Sequence, residues 1–262
     1  MVRADLHVHT TVSDGELDPA AVPATARQAG LDAVAITDHD RIQPDLDAPT
    51  VRRDGVTVVH GIELRVDAGP QRVDLLGYGL DPTSELEAAC ERIQRDRIER
   101  ARAIVDCVED RLGVTLDIDF HPGVGRPHIA RAIDASDADL SYTAAFETLI
   151  GDDDPCFVSR SIPTFETGRR LLADAAAFVG LAHPLRYRDP DHALTLAADL
   201  DAIELAYPYD HDADRRPVRR AIDRHGLLAT GGSDAHGRRL GVAGLDAEQF
   251  DRVRKRLPHP QR

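Results

Sequence analysis

Asp5-Leu6-His7-Val8-His9 decides the fold. Alternate residues of an extended strand face the same side, so His7 and His9 present two imidazoles in one direction, as a metal ion requires. A bare His-x-His arises often by chance, but five further stretches repeat its theme. They are Ser13-Asp14-Gly15, Thr37-Asp38-His39-Asp40, Gly61-Ile62-Glu63, Leu181-Ala182-His183-Pro184 and Gly232-Ser233-Asp234-Ala235-His236. Each places His, Asp or Glu at the end of an apolar, strand-like run. Together His7, His9, Asp14, His39, Glu63, His183, Asp234 and His236 suffice for more than one divalent cation. Residues so far apart in sequence can converge only where a fold gathers its strand ends, as a (β/α) barrel does.

The rest of the chain has the matching rhythm. Ala33-Val34-Ala35-Ile36 is a continuous apolar run of the kind expected for a strand buried on both faces. Val56–Val59, Val73–Tyr78, Phe178–Ala182, Ala202–Leu205 and Leu227–Thr230 complete seven strand candidates with Leu6–His9. Helical stretches near Pro19, 165–177, 192–200, 212–225 and 246–257 alternate with them. The alternation is interrupted once. From Pro82 to Leu112 the apolar residues fall mostly at three- and four-residue spacing, with no Gly or Pro between Thr83 and Leu112, which predicts one amphipathic helix of about thirty residues. Shorter helices are expected near His128–Ala135 and Tyr142–Ile150. The spacing predicts barrel segments 1–81 and 163–262 around a mostly helical insertion, 82–162. Gly231-Gly232 would let the backbone pass close to the metal centre.

The 262 residues carry a formal net charge of -14, and Lys255 is the only lysine among 32 basic residues. Such a carboxylate-rich surface resembles proteins adapted to concentrated salt, where screening relieves self-repulsion. It also argues against a stable nucleic-acid partner, since an anion would meet an anion. Cys90, Cys107 and Cys156 are an odd number without Cys-x-x-Cys spacing, which predicts small core residues and no disulfide. No apolar run approaches the ~20 residues that span a bilayer, and the reading is a soluble, cytoplasmic protein with no membrane partner.

The ordered series His7-x-His9, Ser13-Asp14-Gly15, Thr37-Asp38-His39-Asp40, Gly61-x-Glu63, Ala182-His183-Pro184 and Ser233-Asp234-x-His236 resembles the polymerase and histidinol phosphatase (PHP) family. The likeness covers nearly the whole chain. Within the family the chain is similar to small stand-alone phosphoesterases related to nucleoside 3′,5′-bisphosphate phosphatases and RNase AM; Arg126-Pro127-His128-Ile129-Ala130-Arg131 matches that branch. The resemblance implies a distorted (β/α)7 barrel and a trinuclear centre of divalent ions, Mn²⁺, Fe²⁺ or Zn²⁺. His7, His9, Glu63 and Asp234 would hold the first ion, Glu63, His128 and His183 the second, and Asp14, His39 and His236 the third. One departure is Asp74, which stands where relatives often carry His.

The implied activity is a metal-dependent phosphoesterase, with a metal-bound hydroxide held by Glu63, Asp234 and His183 as nucleophile. Its substrate would be a small phosphorylated metabolite or nucleotide, or a short oligonucleotide. Arg126 and Arg186, close in sequence to His128 and His183, are the candidates for phosphate binding, since a guanidinium offers a bidentate fork. The alternatives are a 5′→3′ exoribonuclease, a histidinol phosphatase and an amidohydrolase. The common binuclear amidohydrolase bridges its metals with a carboxylated lysine, which the position of Lys255 excludes. A metal-stabilised binding module without turnover is a third class, disfavoured because the expected ligands are all present. The remaining histidines, His60, His121, His192, His211, His225 and His259, read as surface or locally hydrogen-bonded groups. Among them only His60 lies close enough to a motif, three residues before Glu63, to have a claim on the centre.

Overall fold

The computed structural model describes residues 1–260. Its strands are β1 (Ala4–Val8), β2 (Ala33–Ile36), β3 (Thr50–Arg53), β4 (Val56–Asp67), β5 (Arg72–Leu80), β6 (Ala176–Leu181), β7 (Ala202–Ala206) and β8 (Leu228–Gly231). The sheet runs β1-β2-β4-β5-β6-β7-β8, with β3 paired only to β4. Beyond β8 the chain continues alongside β1, where Val8 and Ala235 form a parallel bridge. There His9 N–H donates to Ala235 O (3.0 Å) and Ala235 N–H to His7 O (3.4 Å). Seven staves thus form a nearly closed, distorted barrel, and all seven expected strands are among them.

The distortion has a local cause. Parallel neighbours need a crossover of about a dozen residues, and the four residues between β4 and β5 cannot supply one. These two strands therefore pair antiparallel, as do β5 and β6, whereas β1-β2-β4 and β6-β7-β8 pair parallel. Strand β3 was not expected. It is joined to β4 by Asp54-Gly55, both with positive φ (51° and 83°), the two-residue turn whose twist suits a hairpin.

Helices α1 (Val22–Gln28), α5 (Phe165–Ala175), α6 (Pro190–Thr195), α7 (Arg216–His225) and α8 (Ala247–Arg254) follow the barrel strands. Their ends are chemically marked: Thr164, Asp189 and Asp246 cap α5, α6 and α8, and Gly226 (φ 66°) ends α7. Successive residues of β2 serve opposite cores. Val34 and Ile36 pack with Val22 and Ala26 of α1, while Ala33 and Ala35 pack with Tyr78, Phe178 and Phe250. Burial on both faces is why this strand reads as an unbroken apolar run.

The chain divides into two compact units, Met1–Cys90 with Ile162–Arg262, and Glu91–Ser161. The division falls inside α2 (Ser84–Leu112, 29 residues) and not at residue 82. The second unit contains the rest of α2, α3 (Arg126–Asp134) and α4 (Tyr142–Thr148) around Ile104, Val108, Ile129, Ile133 and Ile150. Cys107 and Cys156 form a disulfide there, which corrects the expectation of three unpaired cysteines. They are 49 residues apart, and only the folded unit brings them together. Cys90 is the buried free thiol, its pKa pushed up to about 12 chiefly by burial.

Candidate metal centre

The motif side chains of the first unit gather near the ends of β1, β2, β6 and β8, with Glu63 contributed from within β4, and buried carboxylates hold the intervening loops. Asp38 accepts from Thr10 N–H (2.8 Å), Thr10 Oγ1 (2.7 Å) and Ser13 Oγ (2.6 Å), which fixes the turn carrying Asp14. Asp5 accepts from Ser233 N–H (2.8 Å) and Gly241 N–H (2.8 Å) and fixes the loop carrying Asp234 and His236. A Cβ on Gly232 would lie 2.3 Å from His7 Cβ, so only glycine lets this loop pass against β1. His183 (φ 27°) and Asp234 (φ 49°) both adopt left-handed backbone, a strain that such sites tolerate where packing enforces it.

Three sets of side chains bring one ligand atom each within 4.8 Å of one another. The first is His7, His9, Glu63 and Asp234; the second Glu63, Asp74 and His183; the third His9, Asp14, His39 and His236. Glu63 is the hub. Its Oε2 lies 3.3 Å from His7 Nε2, 3.2 Å from His9 Nε2 and 2.9 Å from His39 Nδ1, and its Oε1 lies 2.9 Å from His183 Nε2. Asp234 Oδ1 lies 3.1 Å from His9 Nε2, and His236 Nε2 lies 3.3 Å from Asp14 Oδ1.

Divalent cations fit these residues. His9 Nδ1 and His183 Nδ1 are buried without a hydrogen-bond partner among the described residues, and Glu63 Oε2 and Asp234 Oδ1, though close to imidazole nitrogens, accept no bond of good geometry there. Such orphaned atoms are costly unless something else satisfies them. His7 Nε2 and His9 Nε2 also face each other at 3.1 Å, so without a cation one of them must donate a proton to the other, whereas a metal ion would accept both lone pairs. A mixed imidazole and carboxylate set suits Mn²⁺, Fe²⁺ and Zn²⁺ alike.

The charge balance agrees. Burial alone would lower the pKa of His7 and His9, but the surrounding carboxylates hold His7 well above its usual value and His9 at about 9. Burial alone would raise Glu63 and Asp234, yet His39 and His7 for the first, and His7 and His9 for the second, pull both below the carboxylate range. Asp14 is likewise lowered against its burial, mainly by the His236 hydrogen bond. Carboxylates concentrated in this way create a strongly cation-attracting field.

Of the other expected residues, Arg186 lies beside the first set. Its Nη1 donates to Asp234 Oδ2 (2.9 Å) and Tyr207 Oη (2.9 Å). With Leu185, Tyr207, Tyr209, His211, Asp234 and His236 it lines an open cavity of about 510 Å³. Arg126 and His128 belong to the second unit. Arg126 Nη1 donates to Ile150 O (3.1 Å) and Asp152 Oδ1 (2.8 Å), and its guanidinium lies over Phe146 and Phe157. His128 Nδ1 accepts from Gly125 N–H (3.2 Å), and its ring stands edge-on to His121. His60 corrects the sequence reading: it is buried, both ring nitrogens lack a hydrogen-bond partner among the described residues, and it is in none of the three sets.

Sequence reasoning passed over two residues that touch the centre and gave a third, Asp74, no role. Glu204 on β7 approaches His7 Nδ1, and Tyr207 donates to Asp234 Oδ2 (2.8 Å). Asp74 joins the second set while also accepting both Arg65 Nε (2.7 Å) and Nη2 (2.6 Å). Glu204 and Asp74 are single acids inside apolar strands, and that burial was the one available signal.

Residues 5–148 match the PHP domain. The chain is 30% identical to a 3′,5′-nucleoside bisphosphate phosphatase from Chromobacterium violaceum, over 90% of this chain and 88% of that protein. It is 27% identical to a 5′-3′ exoribonuclease from Haemophilus influenzae, over 89% and 90% of the two chains. A solved structure of an amidohydrolase from Chromobacterium violaceum, with bound sulfate and no metal, superposes with a TM-score of 0.79 at 25% identity, covering 99% of this chain and 98% of its own. Motifs, fold and relatives converge, and the chain belongs to the PHP family as a metal-dependent phosphoester hydrolase.

Proposed function

We propose that the protein hydrolyses a phosphate monoester of a small phosphorylated metabolite or nucleotide, with 3′,5′-bisphosphonucleotides as the first candidates. The observation that carries this reading is the sharing of Glu63 between two ligand sets, and of His9 between two, beside a cavity that Arg186 lines. The three sets are ligands for three divalent cations: His7, His9, Glu63 and Asp234 for the first, Glu63, His183 and Asp74 for the second, and Asp14, His39, His236 and His9 for the third. When bound, such ions supply Lewis acidity and a water of lowered pKa.

The protein's own groups do the rest. Arg186 presents a cation to the phosphoryl oxygens from the cavity wall, where its charge helps neutralise what develops in the transition state. Tyr207 bridges Arg186 and Asp234, so the phosphate-binding and metal-binding groups are held as one unit. The ring of Tyr209, 4.7 Å from that of Tyr207, offers a flat wall for the rest of the substrate.

Exoribonuclease action is the second reading, motivated by the Haemophilus influenzae relative. The net charge of -14 favours short substrates over a polyanionic chain. The amidohydrolase reading loses its usual lysine bridge, since Lys255 follows α8 and is exposed. Elemental analysis followed by a release assay separates the three. Phosphate release from 3′,5′-bisphosphonucleotides is the expected result. Faster release of mononucleotides from a 5′-phosphorylated oligonucleotide would favour the exoribonuclease, and amide turnover without phosphate release would overturn the proposal.

A further inference from the structure

Glu204 is fully buried in β7, and its hydrogen-bond and ion-pair partners among the described residues include no arginine or lysine. A buried carboxylate with no arginine or lysine beside it is expensive unless other donors satisfy it, and Glu204 is in none of the three ligand sets. Its surroundings explain its presence. His7 Nδ1 lies 3.3 Å from each of its oxygens, and His183 N–H donates to its Oε2 at 2.8 Å. Two donors from two different strand ends thus meet on one carboxylate.

Each contact has a consequence at the centre. A proton on His7 Nδ1 directed at Glu204 leaves the lone pair on Nε2. That is the nitrogen facing Glu63 Oε2 (3.3 Å) and Asp234 Oδ1 (3.5 Å). The bond to His183 N–H holds a residue whose backbone is in the left-handed region (φ 27°), and that backbone sets where the ring goes. His183 Nε2 reaches Glu63 Oε1 at 2.9 Å.

We propose that Glu204 is a positioning residue for two ligands at once, selecting the His7 tautomer through Nδ1 and pinning the strained His183 backbone through Oε2. Glutamine serves less well because, with its oxygen kept at the Oε2 position for His183 N–H, its NH₂ replaces Oε1 and opposes a proton on His7 Nδ1. Partners behind metal-bound imidazoles act in this way generally, fixing the ring and raising ligand basicity. The proposal rests on the metal-centre reading above.

Zinc alone is the probe. Its dissociation constant is measured by competition with a chromophoric chelator for wild type and Glu204→Gln, and the ring ¹⁵N signals of His7 are read in the zinc-loaded proteins. Glu204→Gln should bind the tightest zinc on the order of 10- to 100-fold more weakly. It should also shift the protonated Nδ1 signal of His7 while the circular dichroism stays that of wild type. Equal zinc affinity together with unchanged His7 signals would overturn the proposal. Should Glu204→Gln not fold, Glu204→Asp decides by the same two measurements: weaker binding with a shifted His7 signal supports the role, and wild-type values in both overturn it. A wild-type protein that binds no zinc would sink the metal-centre reading itself, an outcome distinct from wild type and variant binding zinc alike.

Discussion

Both units have apolar cores, but they differ in what else is buried. In the first, polar groups are buried at the strand ends and tied to one another: Asp38 to Thr10 and Ser13, Asp5 to Ser233, Glu204 to His7 and His183. In the second, an apolar cluster of α2 and α3 residues, joined by Ala145 of α4 and by Leu149 and Ile150 just beyond it, is closed by the Cys107–Cys156 disulfide. A buried polar network fixes one geometry and fails when any member is left unpaired. An apolar cluster tolerates exchange of shape and volume. The contrast places the three side-chain sets in the first unit and a disulfide-closed apolar cluster in the second.

The largest effects should follow from damage to the first unit's network. Asp234→Asn removes a charge facing His7 and His9 and weakens the tie to Arg186 and Tyr207. Turnover should fall about a thousandfold, equivalent to ~4 kcal/mol of transition-state stabilisation, together with metal content. Phosphate release at wild-type rates would break the assignment of the centre.

The matching injury to the second unit is Cys107→Ser. Closing a loop of this length constrains the unfolded chain by about 4 kcal/mol on the chain-entropy estimate, which sets an upper bound on the loss. Hydrogen exchange should show faster opening of amides in α3 and α4, with β1, β4 and β8 still protected and metal content unchanged. Equal loss of protection in both units would show that they do not melt separately.

What was readable in the sequence follows the same line. Seven strands and the eight motif side chains stood out because a strand buried on both faces is an apolar run, and a His, Asp or Glu within or soon after it interrupts that run visibly. Strand β3 was missed because Thr50-Val51-Arg52-Arg53 has only one aliphatic residue, although the Asp54-Gly55 turn beside it is a hairpin signal. Glu204 was missed because a single acid in Ala-Ile-Glu-Leu-Ala belongs to no motif; its role exists only through partners more than twenty and nearly two hundred residues away. The disulfide was missed for the same reason, since pairing is decided by the fold of the insertion and not by spacing.

A smaller effect concerns His60, a core group of the first unit that the network does not use. Burial holds its pKa at about 4, below the ordinary 6.5. Above pH 6.5 it is neutral in both states and contributes no pH dependence. As pH falls below 6.5 the unfolded chain takes up a proton that folded His60 refuses, so stability declines until about pH 4. At pH 5 the penalty is about 2 kcal/mol, which His60→Leu should abolish. Denaturant midpoints of the two proteins at pH 7 and pH 5 test this; an equal loss in both would show that other groups cause it.

The finest contrast is between two arginines, one in each unit. Arg186 lines the cavity beside Asp234, whereas Arg126 is bonded to Ile150 O and Asp152 and lies over two phenylalanine rings. Lysine keeps the charge at either place but loses the planar fork. Arg186→Lys should raise KM for a phosphate ester up to tenfold, ~1.4 kcal/mol, and Arg126→Lys should leave KM unchanged while lowering the stability of α3 and α4. If Arg126→Lys raised KM as much as Arg186→Lys did, phosphate recognition would extend to the insertion. The division of labour between the units would then have to be redrawn, with the insertion's arginine serving substrate as well as its own core.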